Sequence, residues 1–521
     1  MTKRSNMAGK VYLVGAGPGD PGLLTLRGKE VLEKADVVIY DRLASPRLLA
    51  FAPKDAEFIY VGKRVGRHTV DQEGINKLIV EKAKKGLNVV RLKGGDPFIF
   101  GRGGEEAEVL SKEGIPFEVV PGVTSAISVP AYAGIPLTHR RYTSSVAFVT
   151  GHLEETKQDA INWQGLATAV GTIVFLMGMK NLPFIVDQLI KYGRSPDTPV
   201  AIIRWGTTPR HRSVKGKLCN IVDKVKEAGL RPPAIIVIGE VASLSDRLSW
   251  YENLPLLGKR VLVTRTREQA SRLVEGLERK GAFCIECPTI EIGPPEDIEP
   301  LDNAIEKLLR GRYQWIIFSS TNAVRFFFDR LWQKGLDVRA LKDVKIAAVG
   351  SSTASELEKL HLRVDLIPKE FQGEGLLEAF SKVDIKDKGI LIPRAQKARA
   401  VLPDGLSRMG ARVRVVTTYV NTLPNIDEEI IQKIKEKPID IATFTSSSTV
   451  KNFFKLLGED EAKDILSKAK IACIGPITAK TIENLGLKVD IMPKEATIPS
   501  LIDEIESYFE PPAKKEKNIV K

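Results

Sequence analysis

Three segments in the second half of the chain occur twice, in the same order and at nearly constant offset. KRVLVTR (259–265) matches KGILIPR (388–394). IIFSSTNAVRFFFDRL (316–331) matches ATFTSSSTVKNFFKLL (442–457). KIAAVGSSTASELEKLHLRVDLIPKE (345–370) matches KIACIGPITAKTIENLGLKVDIMPKE (470–495). The spacing is far longer than the roughly 20–50 residues of a solenoid repeat. Each copy alternates short apolar runs with helical patterns, which predicts two similar α/β lobes. A cleft between such lobes is a natural ligand site. Ser319 and Ser320 in one copy, and Ser446 and Ser447 in the other, sit in Ser/Thr-rich turns between a strand and a helix. Hydroxyls and free helix-terminal amides there suit carboxylates, and they equally serve as simple helix caps.

The first half carries no such repeat. Its apolar runs, VYLVGAG, ADVVIYD, NVVRLKGGDP, PFEVVPG, SVAFVTGH, GTIVFLMGM, TPVAIIRWGT and PAIIVIGEV, read as buried strands ending in loops. Amphipathic stretches such as EGINKLIVEKAKKG (73–86) lie between several of them, giving α/β with a mainly parallel sheet. Pro255 and Gly258 punctuate a linker, after which the pattern restarts. A length of 521 residues agrees with two or more domains.

Four cysteines are too few for a disulfide framework in a chain of this size, and Cys284 and Cys287, though spaced C-x-x-C, sit in a strand-like context. The five histidines are dispersed, so no metal site is expected. No apolar run reaches the ~20 residues of a membrane span, and MTKRSNMAGK lacks an apolar signal core. A cytoplasmic protein without membrane contact is expected. The net charge of +13 is compatible with nucleic acid, an anionic membrane or an acidic small molecule as partner. With no zinc-finger spacing or RNA-binding signature, a polyanionic small substrate is favoured over nucleic acid. The last residues, 509–521, read as a basic flexible tail.

The loop at 15–20, GAGPGD, resembles a dinucleotide turn, but the third glycine position holds Asp20 and Pro18 removes a backbone donor. Two further loops follow strands: KGGDPFIFGRGGEE (93–106), crowded with Lys93, Asp96, Arg102, Glu105 and Glu106, and VVPGVTSAIS, where Thr124 and Ser125 open a helix. All three belong at the carboxyl edge of the sheet, lining one pocket mostly with backbone.

GAGPGD, YDRL, GKR, KGGDPFIFGRGGEE, PGVTSA, AYAGIPLTHR and PPAIIVIGEV, in that order, resemble the uroporphyrinogen-III C-methyltransferases over residues 8–250. VTRTREQ, FSSTNAV and IGPITA resemble, more loosely, the uroporphyrinogen-III synthases over residues 258–508. The resemblance implies a tetrapyrrole-methylase fold of two α/β subdomains followed by a two-lobed synthase. It implies a glycine loop that takes S-adenosylmethionine, a ligand without phosphate, for which the missing third glycine is no loss. The implied cofactor site is Pro18, Gly94, Gly95, Asp96, Ile99, Thr124, Ser125, Met177, Gly206 and Ala234. Asp41 and Lys63 match the family's proton-transfer positions, and Tyr419 matches a tyrosine held to assist departure of the substrate hydroxyl. Arg91 and Arg102 are expected to pair with substrate carboxylates, and Ser319, Ser320, Ser446, Ser447 and Thr478 to line the synthase site. A homodimer through the methyltransferase half is implied as well. Two other readings stay open: a methylase of a later corrin intermediate, and a second half that binds tetrapyrroles without catalysis.

Overall fold

The computed structural model describes residues 9–62, 71–151, 161–265, 267–368 and 373–510. Lys63 and residues 511–521 of the expected tail lie outside them, whereas Phe509 closes the last helix, Ile498–Phe509. Mixed α/β sheets carry both halves, and the chain divides into two compact units. One comprises residues 1–261, 275–284 and 502–521; the other, 262–274 and 285–501.

In the first unit, β1 (Val11–Gly15), β2 (Val37–Tyr40), β3 (Glu57–Tyr60), β4 (Val89–Lys93) and β5 (Phe117–Val120) form a sheet in the order β3-β2-β4-β1-β5, parallel throughout. Both faces are covered. Leu13, Ile39 and Val89 pack on one side with Ile79 and Leu110; Val14, Val38 and Leu92 pack on the other with Leu32 and Leu48. Covering both faces is why these strands read as unbroken apolar runs rather than alternating ones. Helices α1 (Leu26–Leu32), α2 (Gln72–Lys84) and α3 (Gly103–Lys112) belong to this layer, whereas α4 (Ser125–Tyr132) follows β5 and packs Ala126 and Val129 against residues 172–176, 199–204 and 234–238. α2 starts where the Asp71 carboxylate accepts the Gly74 N–H at 2.8 Å. It buries Ile75, Ile79 and Ala83, one residue per turn, each isoleucine contributing about 1.5–3 kcal/mol of burial.

The second sheet, β6 (Val146–Thr150), β7 (Thr172–Leu176), β8 (Pro199–Arg204), β9 (Arg212–Lys217) and β10 (Ala234–Ile238), runs β6-β7-β10-β8-β9. Only β6 and β7 pair in parallel; β7–β10, β10–β8 and β8–β9 are antiparallel. The expectation of a mainly parallel sheet therefore holds for the first sheet and fails here. An apolar run buried on both faces looks the same in either direction, and β9, RSVKGK, has no apolar run to announce it.

The second half of the chain corrects the simplest reading of the repeat. β13 (Glu291–Gly293), β14 (Trp315–Phe318), β15 (Lys345–Ala348), β16 (Gly389–Ala395) and β17 (Arg412–Thr422) form one sheet, ordered β13-β17-β16-β14-β15. β11 (Arg260–Val263), β12 (Phe283–Glu286), β18 (Ile441–Phe444) and β19 (Lys470–Cys473) form another, ordered β12-β11-β18-β19. Each sheet thus draws strands from both copies: β16 of the second copy lies beside β14 of the first, and β11 of the first beside β18 of the second. The repeat is nonetheless exact enough to repeat single contacts. Asp365 accepts the Ile346 N–H at 2.7 Å and Asp490 accepts the Ile471 N–H at 3.0 Å. Phe318 meets Phe327 edge-on at 5.6 Å, and Phe444 meets Phe453 at 5.8 Å.

Candidate active sites

In the first unit the loops after β1, β4 and β5 meet backbone to backbone. Gly17 and Gly95 exchange two N–H···O bonds, at 3.2 and 2.7 Å. A Cβ on Gly122 would stand 2.3 Å from the Gly95 carbonyl oxygen and 2.6 Å from the Gly15 Cα. Gly95 itself has φ +71°, so it is required both for space and for conformation. The Asp96 carboxylate ties the loops together, accepting the Phe98 N–H at 2.8 Å with one oxygen and the Gly122 N–H at 2.9 Å with the other. Thr124 caps α4 by accepting the Ala126 N–H, and Ser125 opens the helix beside Gly95. Gly94 sits against Leu43, bringing the Asp41–Leu43 turn to the same edge.

The second sheet supplies the facing edge. Ala234 pairs with Arg204 at the end of β8, just before Gly206, and Ile235 pairs with Leu176, just before Met177. Met177 has φ +56° and is 53% exposed, so it projects from its strand instead of joining the core. Gly206 has no room for a Cβ because Val129 of α4 lies 2.4 Å from where it would be. Asp20 joins the two edges. It caps the Pro21–Leu23 turn by accepting the Gly22 N–H, its own N–H reaches the Thr207 hydroxyl at 3.4 Å, and it accepts the Tyr132 hydroxyl at 2.6 Å. Burial, reinforced by that carboxylate, pushes the Tyr132 phenol well above its ordinary pKa and keeps it a donor. Pro18 and Ile99 are both partly accessible on these loops.

Asp41 occupies the carboxyl end of β2. One oxygen accepts the Leu43 N–H at 3.0 Å, and the other lies 3.4 Å from Arg91 Nη2. The expectation that Arg91 meets substrate carboxylates is overturned. Arg91 is 4% exposed, and it also donates to the Leu92 carbonyl and approaches Glu106 at 3.3 Å. A strand buried on both faces leaves its guanidinium no route to solvent. Arg102, by contrast, is exposed at the start of α3, where it pairs with Glu105 at 3.2 Å.

In the second unit, Ser320 and Ser446 are the equivalent caps, accepting the N–H of Ala323 at 3.1 Å and of Thr449 at 3.3 Å. Ser447 lies one position further on, donating to the Ile477 carbonyl at 3.2 Å. Tyr419 is 7% exposed, stacks on Phe326 and reaches the Ser320 hydroxyl at 3.1 Å. Thr478, expected to meet substrate, is instead 4% exposed within the helix Pro476–Glu483, its place at the surface taken by Ile477. Ile477 and Ser319 face a cavity of about 360 Å3 whose charged lining is Glu374, Arg394 and Arg399. Sequence reasoning missed both arginines. The available signal was Arg394 closing the repeated strand motif, at the position of Arg265 in the first copy. Cys287 is buried, which pushes its thiol up to about 12 and leaves it unreactive. No cluster of metal-ligating side chains occurs among the described residues.

Residues 10–222 match the family model of the tetrapyrrole (corrin/porphyrin) methylases, and residues 271–503 match that of uroporphyrinogen-III synthase HemD. The porphyrin biosynthesis protein HemD of Ruminiclostridium josui is 41% identical over 499 residues, covering 95% of this chain and 97% of that one. The chain belongs to this HemD family. A uroporphyrinogen-III C-methyltransferase of Bacillus subtilis is 48% identical over 67% of this chain and 71% of its own length. A solved uroporphyrin-III C-methyl transferase from Thermus thermophilus aligns over 45% of this chain and all of its own, at 43% identity and a TM-score of 0.40. As a HemD-family protein the chain is a bifunctional enzyme of tetrapyrrole biosynthesis, with a methyltransferase part followed by a synthase part. No helix among the described residues is long and apolar enough to cross a membrane.

Proposed function

We propose that residues 258–508 close the linear tetrapyrrole hydroxymethylbilane, with inversion of its last ring, to uroporphyrinogen III. Residues 8–250 then methylate that ring twice, from S-adenosylmethionine, to precorrin-2. The observation that carries the reading is the meeting of three glycine loops beside a carboxylate, Asp41, that is held by a buried guanidinium.

The residues suit S-adenosylmethionine. Gly94, Gly95, Gly122 and Gly206 keep a cradle free of side chains, Thr124 and Ser125 offer hydroxyls at a helix start, and Met177 presents a soft sulfur. Pro18, Asp96, Ile99 and Ala234 complete the set proposed to hold it. Bound there, it supplies an electrophilic methyl group. The work left to the chain is electrostatic. Attack by a pyrrole carbon places positive charge on the ring, and the Asp41 carboxylate is proposed to stabilise that charge and take the proton released. Arg102 remains open to a substrate carboxylate.

In the synthase part, Arg394 and Arg399 are proposed to hold substrate carboxylates in the cleft. Positioning the chain's two ends is then worth more than any single acid or base. Tyr419, through its hydroxyl, is proposed to assist loss of water together with Ser320. The test supplies hydroxymethylbilane with and without S-adenosylmethionine and identifies the products. Uroporphyrinogen III without the cofactor and precorrin-2 with it are expected. The non-inverted ring in both arms removes the synthase assignment, and uroporphyrinogen III in both arms removes the methyltransferase assignment.

A further inference from the structure

A buried charge cluster lies behind Asp41. Arg91 and Lys93 stand at alternate positions of β4, so they share one face of the sheet. Opposite them, Glu106 of α3 is fully buried, and a single oxygen, Oε1, takes three donors. These are Lys93 Nζ at 2.7 Å, Gln72 Nε2 of α2 at 3.2 Å and Arg91 Nε at 3.3 Å. The other oxygen, Oε2, is buried without a hydrogen-bond partner among the described residues. Only the far edge of the guanidinium, Nη2, reaches Asp41. Two cations and two carboxylates therefore balance, three of the four groups being almost wholly out of water. Removing one member of such a set leaves an uncompensated charge whose field falls on the most accessible one, Asp41.

We propose that Glu106 and Lys93 are positioning residues of the methyl-transfer site: as a counter-charged pair behind Arg91 they determine how strongly the guanidinium holds Asp41. The inference rests on the proposed role of Asp41. Among the described residues, the other titratable groups around the turn include Tyr40 and Arg42 on either side of Asp41, Tyr60 on β3, and Arg102 and Glu105 at the start of α3. Burial, and then the neighbouring Arg91, lower the pKa of Lys93, and the Glu106 carboxylate works against both.

The proposal demands effects of opposite sign. In Glu106→Gln, Asp41 faces both cations alone, its carboxylate stays ionised to lower pH, and the acid limb of the methyl-transfer profile moves down by about one pH unit. In Lys93→Met, Glu106 competes undiluted for Arg91, and the limb moves up. The double variant, one charge of each sign removed, returns the limb close to that of the parent. The measurement is the pH dependence of kcat for full-length chains on uroporphyrinogen III, with calorimetry of S-adenosylmethionine binding on each variant to establish an intact fold. Shifts of the same sign, or losses of kcat with an unmoved limb, overturn the inference and make the cluster purely structural. Failure of the parent chain itself to methylate overturns the proposed function, which is a different result.

Discussion

On the proposed function, the two halves handle a polycarboxylate in opposite ways. The methyltransferase part concentrates its chemistry: one carboxylate, Asp41, on a turn clamped by Gly94 and backed by the buried Arg91–Glu106–Lys93 cluster. The synthase part spreads it. Its repeated turns use their serine hydroxyls to cap helices, and its cavity carries Arg394 and Arg399 with Glu374 as the one carboxylate among the described residues that line it. In the proposed reactions methylation needs charge placed at one atom and ring closure needs a long substrate bent, so the first site is expected to be sensitive to single groups and the second to its shape.

The sharpest way to break this contrast is Asp41→Ala. Methyl transfer is expected to fall by about 10²–10⁴-fold while S-adenosylmethionine affinity stays within a factor of about two. Transfer of a labelled methyl group and calorimetry measure the two. Parent-like transfer reduces Asp41 to the turn cap of Leu43. Next comes Gly122→Ala, whose methyl group would run into the Gly95 carbonyl and the Gly15 backbone. A loss of about 1–3 kcal/mol in stability is expected, with weakened cofactor binding. Gly104→Ala, with nothing within 4 Å, is expected to be neutral or slightly stabilising. Thermal unfolding of the pair distinguishes a required loop from glycine-rich decoration.

In the synthase half the expected effects are smaller. Tyr419→Phe removes the hydroxyl that meets Ser320 and is expected to slow ring closure about tenfold, the worth of one hydrogen bond. Arg394→Ala is expected to raise KM several-fold with kcat little changed. Product analysis for inverted and non-inverted rings, alongside steady-state rates, measures both. A collapse of kcat in Arg394→Ala would place concentrated chemistry in this half too.

The smallest effect concerns stability. Glu252 lies in a half-buried cage; burial alone would raise its pKa, but bonds from His211, Ser213 and Ser249 prevail and bring it down to about 2. A carboxyl depressed in the folded state contributes stability above its unfolded pKa of 4.5 and loses it as pH falls towards 2. In the other unit, Asp302 is lowered mainly by its bond to Arg330, a partner that is partly exposed where the His211 beside Glu252 is buried. Acid titration of unfolding for Glu252→Gln and Asp302→Asn, at low and high salt, is expected to show the Glu252 contribution persisting in salt. The Asp302 contribution, about 0–1 kcal/mol, should fade.

Much of this was legible in the chain. The apolar runs marked the strands, EGINKLIVEKAKKG marked α2, and the Ser/Thr turns marked helix starts, because these follow from local propensity and pattern. The charged loop after β4 was visible as crowding, yet the partners of its residues were not: VVRLK shows two cations on one face of a strand, and only the packing of α3 brings Glu106 between them. The local pattern therefore points Arg91 to the substrate, and Thr478 to a surface it does not reach.

What the sequence determined by itself was the set of parts: buried strands with glycine-rich ends, a twofold repeat, and the motifs of two activities in order. What the tertiary structure alone decided was which parts meet. Strand order is set by long-range pairing, to which a local apolar pattern is blind, so the two copies of the repeat exchange strands between sheets and the second sheet runs largely antiparallel. The exposure of a charge is likewise set by whatever packs over it, and for Arg91 that is a helix about fifteen residues further along the chain.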